Sequence, residues 1–397
     1  MMQGWKRSDG RKGIRNVVAV AYLVECAHHV AREIVLPYRD EEVHLIGFPG
    51  CYPNSYAFEM MAKISTHPNV GAVLLVSLGC EGFNKRELEA VIQASGRPVE
   101  TLVIQQNGGT SSSVKKGREW IAKTRKQLEE NPTVSVEMSD LVIGTICGGS
   151  DGASGVTANP AVGRAFDQMI ERGATCVFEE TGELIGCEQH MASRAATPQL
   201  AKEIIKSVEK AAKYYAVLGH GSFAPGNAEG GLSTQEEKSM GAYAKSGASE
   251  IVGLIKPGDF PPTSGLYLLD VVPDGEVRFG FPNISDNAEI VEMIASGCHA
   301  ILFTTGRGSV VGSAISPVVK ICTNDDTFSR LKEDMDVNAG KILSEGVTID
   351  DVGTEIVDQV EKIANGERSK SEALGHTEFI LTYKSFEPIG PGCLPSR

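Results

Sequence analysis

No apolar run in the 397-residue chain approaches the ~20 residues a bilayer-spanning helix needs, which argues against a helical membrane protein. The N-terminal stretch MMQGWKRSDGRKGIRN is basic but lacks the apolar segment of a secretory signal. A cytoplasmic location, with no membrane partner, is the expectation. An excess of positive charge is also missing. The formal net charge is −13, whereas a nucleic-acid-binding surface needs a basic face. Nine cysteines occur without a single CxxC pair, so a zinc ribbon or thioredoxin-like motif is not expected. With no secretory signal, reduced thiols or metal ligands fit better than disulfides. GxxxxGK[ST] is absent, and the GxGxxxG of TTGRGSVVGS does not fit the dinucleotide fingerprint, so nucleotide cofactors find no support.

Present in abundance are β-branched apolar runs. They are NVVAVAYLVE (16–25), VHLIGF (43–48), VGAVLLVSLG (70–79), PVETLVIQQ (98–106), LVIGTI (141–146), ATCVFEE (174–180), EIVGLI (250–255), GLYLLDVV (265–272) and HAILFTTG (299–306). Helix-like segments such as KKGREWIAKTRKQLEE separate them. Continuous apolar strands alternating with helices predict parallel sheets covered on both faces. The chain is too long for one ordinary core. It reads as α/β, with two doubly wound, mostly parallel-sheet Rossmann-like units. The break near NPTVS gives an N-terminal α/β domain over 1–132 and a C-terminal catalytic α/β domain over 133–397.

Open parallel sheets bind ligands at the carboxyl ends of their strands. Three cysteines fall at such ends beside glycine: Cys51 after HLIGFPG, Cys80 after LLVSLG, and Cys147 after VIGTI. Cys80 is followed by Glu81, and Cys147 by Gly148, Gly149, Ser150 and Asp151. Cys26, Cys176 and Cys322 lie within apolar runs and read as core. KRSDGRKGIRN gathers Arg7, Asp9, Arg11, Arg15 and Asn16 around two glycines. It is either a solvated basic arm or an anion clamp, since guanidinium forks match carboxylate and sulfonate oxygens.

FEETGELIGCEQHMASRA carries Glu179, Glu180, Glu183, Glu188 and His190. Some of these are first-turn helix residues. Glu180 or Glu188 with His190 would supply a hard ligand or a general base. GHGSFAPGNAEGGLSTQEEKS contributes His220, Asn227 and Lys238 in a glycine-rich stretch that reads as a substrate loop. Arg307 and Ser309 follow the strand-then-glycine pattern again. Alone, these residues describe an enzyme with an oxygen- and thiolate-lined metal crevice and arginines for an anionic substrate.

SDGRKGIRN, LGCEGFN, CGGSDGASGVTANPAVG, PGNAEGGLSTQEEKS, TGRGSVVGSAISP and MDVNAG together resemble the altronate/galactarate dehydratase family along nearly the whole chain. That family acts on 2-hydroxy acids with ferrous iron. The resemblance implies Cys51, Cys80 and Cys147 as metal ligands, with Glu81 and Glu188 as oxygen donors. The iron would be a mononuclear Fe(2+) or part of an iron–sulfur cluster. From the residues themselves, Glu188, His190 and Lys238 are the expected catalytic residues, and Arg7, Arg11, Arg15, Asn16, Ser150, Asp151, Asn227, Arg307 and Ser309 the expected substrate-binding ones.

Family dehydratases often carry a small N-terminal SAF-type domain, whereas this chain starts directly at the arginine motif. The expected partner is therefore a separate small SAF-type alpha subunit, in a heteromer holding several copies. VHLIGFPGCYPN, EETGELIGCEQHM with Cys187, and FILTYKSFEPIGP resemble the sulfonate branch of the family more than its sugar-acid branch. That branch eliminates sulfite from (2R)-3-sulfolactate to give pyruvate. The alternatives are a sugar-acid dehydratase that eliminates water, and a non-catalytic sugar-acid binding protein on the same fold.

Overall fold

The computed structural model describes residues 2–38, 41–179, 181–218, 223–275, 285–381 and 383–384. Cys393, Glu180 and His220 lie outside the described residues. Strands are numbered along the chain: β1 (Met2–Lys6), β2 (Lys12–Gly13), β3 (Val17–Tyr22), β4 (Val43–Gly47), β5 (Val70–Ser77), β6 (Val99–Val103), β7 (Val134–Val136), β8 (Val142–Cys147), β9 (Thr175–Phe178), β10 (Ile251–Ile255), β11 (Gly265–Leu269), β12 (Ala300–Thr305), β13 (Val318–Cys322) and β14 (Val337–Asn338).

The fold is α/β with two parallel sheets. One has the order β4-β3-β5-β6 and the other β10-β11-β9-β8-β12-β13-β14. Each of the nine apolar runs contains a strand. All eight residues of β5 are buried, as expected where helices cover both faces of a sheet. In the larger sheet the chain runs outward from β8 in one direction through β9, then returns to β12 on the other side. That reversal opens a crevice beside the carboxyl end of β8.

A third, antiparallel sheet, β2-β1-β7, was not signalled by apolar runs. It pairs Met2–Gly4 with Val134–Val136 and so ties the stretch between the two large sheets back to the N-terminus. The strands β13 and β14 were also missed. Lys320 interrupts the apolar run of β13, and β14 is only two residues long.

The helices follow from pattern and caps. Ile349–Ala364 begins with a reciprocal box, Thr348 accepting from the Asp351 N–H while Asp351 accepts from the Thr348 N–H. Its buried Val352, Ile356, Val360 and Ile363 recur at helical spacing. They pack on Ala158–Glu171, and burying each such side chain is worth ~1.5–3 kcal/mol.

A continuous apolar core joins the two large sheets. It runs from Ala19, Phe48 and Met60 to Ile146, Met293 and Phe303. Helix Ser55–Ser65 packs there against helix Asp286–Ala295. At its centre Tyr56 Oη donates to Glu292 at 2.7 Å, and Lys384 Nζ donates to the same carboxylate at 2.7 Å. Glu292 and Lys384 are both buried, so the segment ending at Lys384 is fixed across both units.

The basic stretch after β1 is neither a solvated arm nor an anion clamp. All five N–H groups of Arg15 are engaged, by both oxygens of Glu372 and by the carbonyls of Ile14, Ile363 and Glu367. Arg7 is buried and donates to the carbonyls of Pro68 and Arg15 and to Asn16 Oδ1. Arg11 pairs with Asp9 at 2.6 Å and lies over the Phe260 ring at 4.4 Å. Buried carbonyls without donors are costly, so Arg15 is consumed in joining the N-terminal stretch to the C-terminal unit, while Arg7 ties the hairpin to Pro68 and Asn16 within its own unit. Cys26, expected in the core, is exposed on the outer face of helix Glu25–Val35.

Candidate active site at the carboxyl end of the central strand

Strand β8 stops at Cys147 because the chain must turn without side chains. The Gly148 N–H donates to the Thr304 carbonyl at 2.9 Å, and a Cβ on Gly148 would lie 2.6 Å from the Phe303 ring. The Gly149 carbonyl then accepts from Gly306 and Arg307 at 2.9 and 3.1 Å. A Cβ on Gly306 would lie 2.2 Å from the Asp151 carboxyl carbon. Only glycine permits this approach between the loops after β8 and β12.

Asp151 knots these loops together. One carboxylate oxygen accepts from Ser154 Oγ and the Ala153 N–H, the other from Thr323 Oγ1 and Asn324 Nδ2 at 2.8 Å each. Expected as a substrate ligand, it here ties the two loops together. Its carboxylate already has donors on both oxygens.

The glycine-rich stretch expected as a substrate loop does reach this place. Gly152 donates to the Gly230 carbonyl at 2.9 Å, and Asn227 is buried on the short helix Pro225–Glu229. Arg307, half-exposed at the rim, donates to Glu229 at 3.1 Å. The Ser309 hydroxyl accepts from the Val311 N–H at 3.2 Å in the same segment.

The polar centre is formed by Cys147, Glu183 and Lys238. Cys147 Sγ donates to Glu183 Oε2 at 3.0 Å, Ser150 Oγ lies 3.8 Å from the same sulfur, and Lys238 Nζ ion-pairs with the other Glu183 oxygen. Glu183 sits in the 3-10 turn Thr181–Leu184 after β9, Lys238 on helix Gln235–Tyr243. Burial by itself would raise the Glu183 carboxyl. Lys238 and the fully buried Lys245 outweigh it and hold the group below the usual carboxylate range.

On the Lys238 side a groove of about 330 Å³ is lined by Ser150, Ser154, Asn159, Lys238 and Met240. On the Glu183 side a smaller cavity of about 130 Å³ is lined by Glu183, Tyr215, Val271, Asp286 and Glu289. Asp286 is exposed at the mouth of this cavity, with neighbouring groups crowding its carboxyl. This desolvation, and then the charge of Glu183, pushes it up to about 6. A carboxylate locked to a lysine, beside a second carboxyl poised near neutrality, is equipped to move protons at a bound small molecule.

Other expected residues lie outside this cluster. Glu188 accepts from the Gly186 N–H at 2.8 Å, the role of a first-turn residue, and His190 is exposed beside the Tyr243 ring. Cys51 and Cys80 are exposed on neighbouring loops of the N-terminal unit, where Gly82 donates to the Cys51 carbonyl at 2.7 Å. Glu81 spends its carboxylate on Ser77, the Gly79 N–H and Lys85.

Among the described residues, no group of three or more His, Cys, Asp and Glu side chains is placed to hold a metal ion. Cys51, Cys80, Glu81 and Cys147 as arranged therefore do not fit the iron that the family resemblance implies, and no chemical step is routed through it. Glu183, Lys245 and Asp286 were not singled out from sequence. Glu183 stood in an acidic stretch that drew attention to Glu180 and Glu188 instead. Asp286 reads as an ordinary helix-start acid after its cap Ser285, with nothing local to mark it.

A family model described as D-galactarate/Altronate dehydratase, C-terminal, matches residues 138–386. A second, described as D-galactarate dehydratase/Altronate hydrolase, second domain, matches residues 4–129. The (2R)-sulfolactate sulfo-lyase subunit beta of Chromohalobacter salexigens is 31% identical over 408 residues, covering 96% of each chain. Altronate dehydratase of Escherichia coli is 28% identical over 397 residues, covering 96% of this chain and 77% of that one. Galactarate dehydratase (L-threo-forming) of Escherichia coli is 30% identical over 395 residues, covering 92% of this chain and 73% of that one.

Proposed function

The chain belongs to the D-galactarate/altronate dehydratase family of lyases, and on that footing we propose that it eliminates sulfite from (2R)-3-sulfolactate to give pyruvate. The observation that carries this reading is the likeness to the sulfo-lyase subunit, 31% identical over 96% of this chain. The relative is named a beta subunit, which supports a small partner subunit here as well. We assign that partner to the SAF type; the ferrous iron that the family resemblance implies is proposed for the complete enzyme only, since the described residues as arranged form no site for it.

The chemistry asks for little beyond what the Cys147 cluster offers. The hydrogen beside the substrate carboxylate is a weak acid, so a positioned base must remove it and nearby positive charge must stabilise the enediolate. Lys238 and Lys245 supply that charge around Glu183. Arg307 is the cation at the rim, tied by one exposed carboxylate that an incoming sulfonate would displace. The loop Ser150–Gly152 and Asn227 shape the entrance. Loss of sulfite leaves the enol of pyruvate.

A second reading is favoured by how narrowly the identities differ, 31% against 28% and 30%. It is a sugar-acid dehydratase, using the same proton abstraction with hydroxide as the leaving group. One anaerobic assay separates the two. The chain, co-expressed with its small partner and supplied with ferrous iron, is given (2R)-3-sulfolactate while sulfite and pyruvate are followed together. Equal amounts of both support the sulfo-lyase. Turnover of altronate or galactarate without any action on sulfolactate moves the protein to the dehydratases.

A further inference from the structure

Resting on the reading of this cluster as a site of 2-hydroxy-acid elimination, we infer that Asp286 is its proton-transferring residue. Asp286 is the first residue of helix Asp286–Ala295, which the core between the two large sheets holds in place. Its carboxyl reaches the strand-end loop. A Cβ on Gly148 would lie 3.3 Å from Asp286 Oδ2, a tight contact that puts the carboxyl close against this backbone. Asp286 and Glu183 line the same cavity of about 130 Å³, Asp286 exposed and Glu183 only partly so.

The two carboxyls differ in what they are free to do. Glu183 receives Cys147 Sγ on one oxygen and Lys238 Nζ on the other, and is fixed as an anion. Asp286 stands against that anion with Glu289 and the Tyr215 ring in the same cavity, and the charges of Lys238 and Lys245 oppose the rise in its pKa. Environments that push two neighbouring carboxyls apart mark one as the fixed charge and the other as the proton carrier.

In the elimination, the Asp286 carboxylate takes the proton from the carbon beside the substrate carboxylate. The released electron pair forms the carbon–carbon double bond, the carbon–sulfur bond breaks, and sulfite leaves with its bonding pair. The enol becomes pyruvate with no net gain or loss of protons. The proton on Asp286 departs with sulfite as hydrogensulfite, or to water. With a sugar acid the same residue returns its proton to the leaving hydroxide.

The test compares wild type, Asp286→Asn and Asp286→Glu, each in the complete complex, on sulfolactate, altronate and galactarate. For whichever substrate wild type consumes, Asp286→Asn is expected to lower kcat ~10²–10⁴-fold with little change in KM. Wild-type kcat should fall on the acid side with a midpoint near 6. Asp286→Glu should recover part of the rate and retain an acid limb. A readout independent of turnover is an infrared titration of the full chain between pH 4.5 and 8, in which a carboxyl signal titrating near 6 should vanish in Asp286→Asn.

Sulfolactate consumed equally by wild type and Asp286→Asn overturns the role of Asp286 and leaves the substrate standing. Altronate consumed in an Asp286-dependent manner, with sulfolactate inert, sinks the substrate and upholds Asp286. A carboxyl titration unchanged by Asp286→Asn overturns the assignment whatever the enzyme turns over.

Discussion

Lowering the pH from 7 to 4 should weaken this fold through one buried histidine at the junction of its two units. His299 Nε2 donates to the Lys12 carbonyl at 2.8 Å, and its Nδ1 accepts from the Val142 N–H at 3.0 Å. The ring is thus held neutral, with one nitrogen in each role. Burial depresses it from 6.5 to about 4. His67 lies 5.9 Å away, ring to ring, and is depressed in the same direction by burial and then by His299.

For a depressed group the native form is fully favoured above the unfolded value of 6.5, and the advantage is lost as the pH falls toward 4. At 1.36 kcal/mol per unit, His299 alone accounts for roughly 3 kcal/mol across that window. Urea unfolding at pH 7, 5.5 and 4 measures it. A His299→Gln variant, which keeps a side-chain donor or acceptor, should show a shallower loss than wild type over that range. Identical slopes for the two proteins would refute the assignment of acid lability to this residue.

Removing one partner of the buried Lys384–Glu292 pair strands a charge. Lys384→Met should destabilise by about 3–5 kcal/mol, and pairing it with Glu292→Leu should recover much of that in a thermal-melt cycle. Arg15→Ala removes the donors of the Ile363 and Glu367 carbonyls and should cost about 2–4 kcal/mol in urea, while KM for the anionic substrate stays within threefold. Glu183→Gln releases Lys238 and should reduce kcat by ~10²-fold or more in the sulfite assay. Glu188→Gln and His190→Ala, which lie outside the cluster, should each keep kcat within threefold of wild type.

The sequence by itself determined the class of fold and the strand end at which the candidate site lies. Continuous runs such as VGAVLLVS can be buried only in a sheet covered on both faces, so the parallel architecture was legible. The thiol at the end of LVIGTIC, followed at once by glycines, falls at the carboxyl end of β8 beside the crevice. Local chain chemistry demands glycine where backbones touch. Lys238 and Asn227 were reached through the same glycine-rich logic. These features depend on neighbours along the chain.

What only the tertiary structure decided depends on neighbours across it. Arg15 finds Glu372 more than three hundred residues away, and no local pattern reveals that its fork is already filled. Glu188 and Glu183 belong to one acidic stretch and look alike in sequence. Position on the turn after β9 sends Glu183 to Cys147 and leaves Glu188 to its own helix start. Asp286 becomes a candidate base only because the sheet order brings its helix against Gly148. Burial and opposing charge, which set how these groups hold protons, are properties of that packing and are written nowhere in the local sequence.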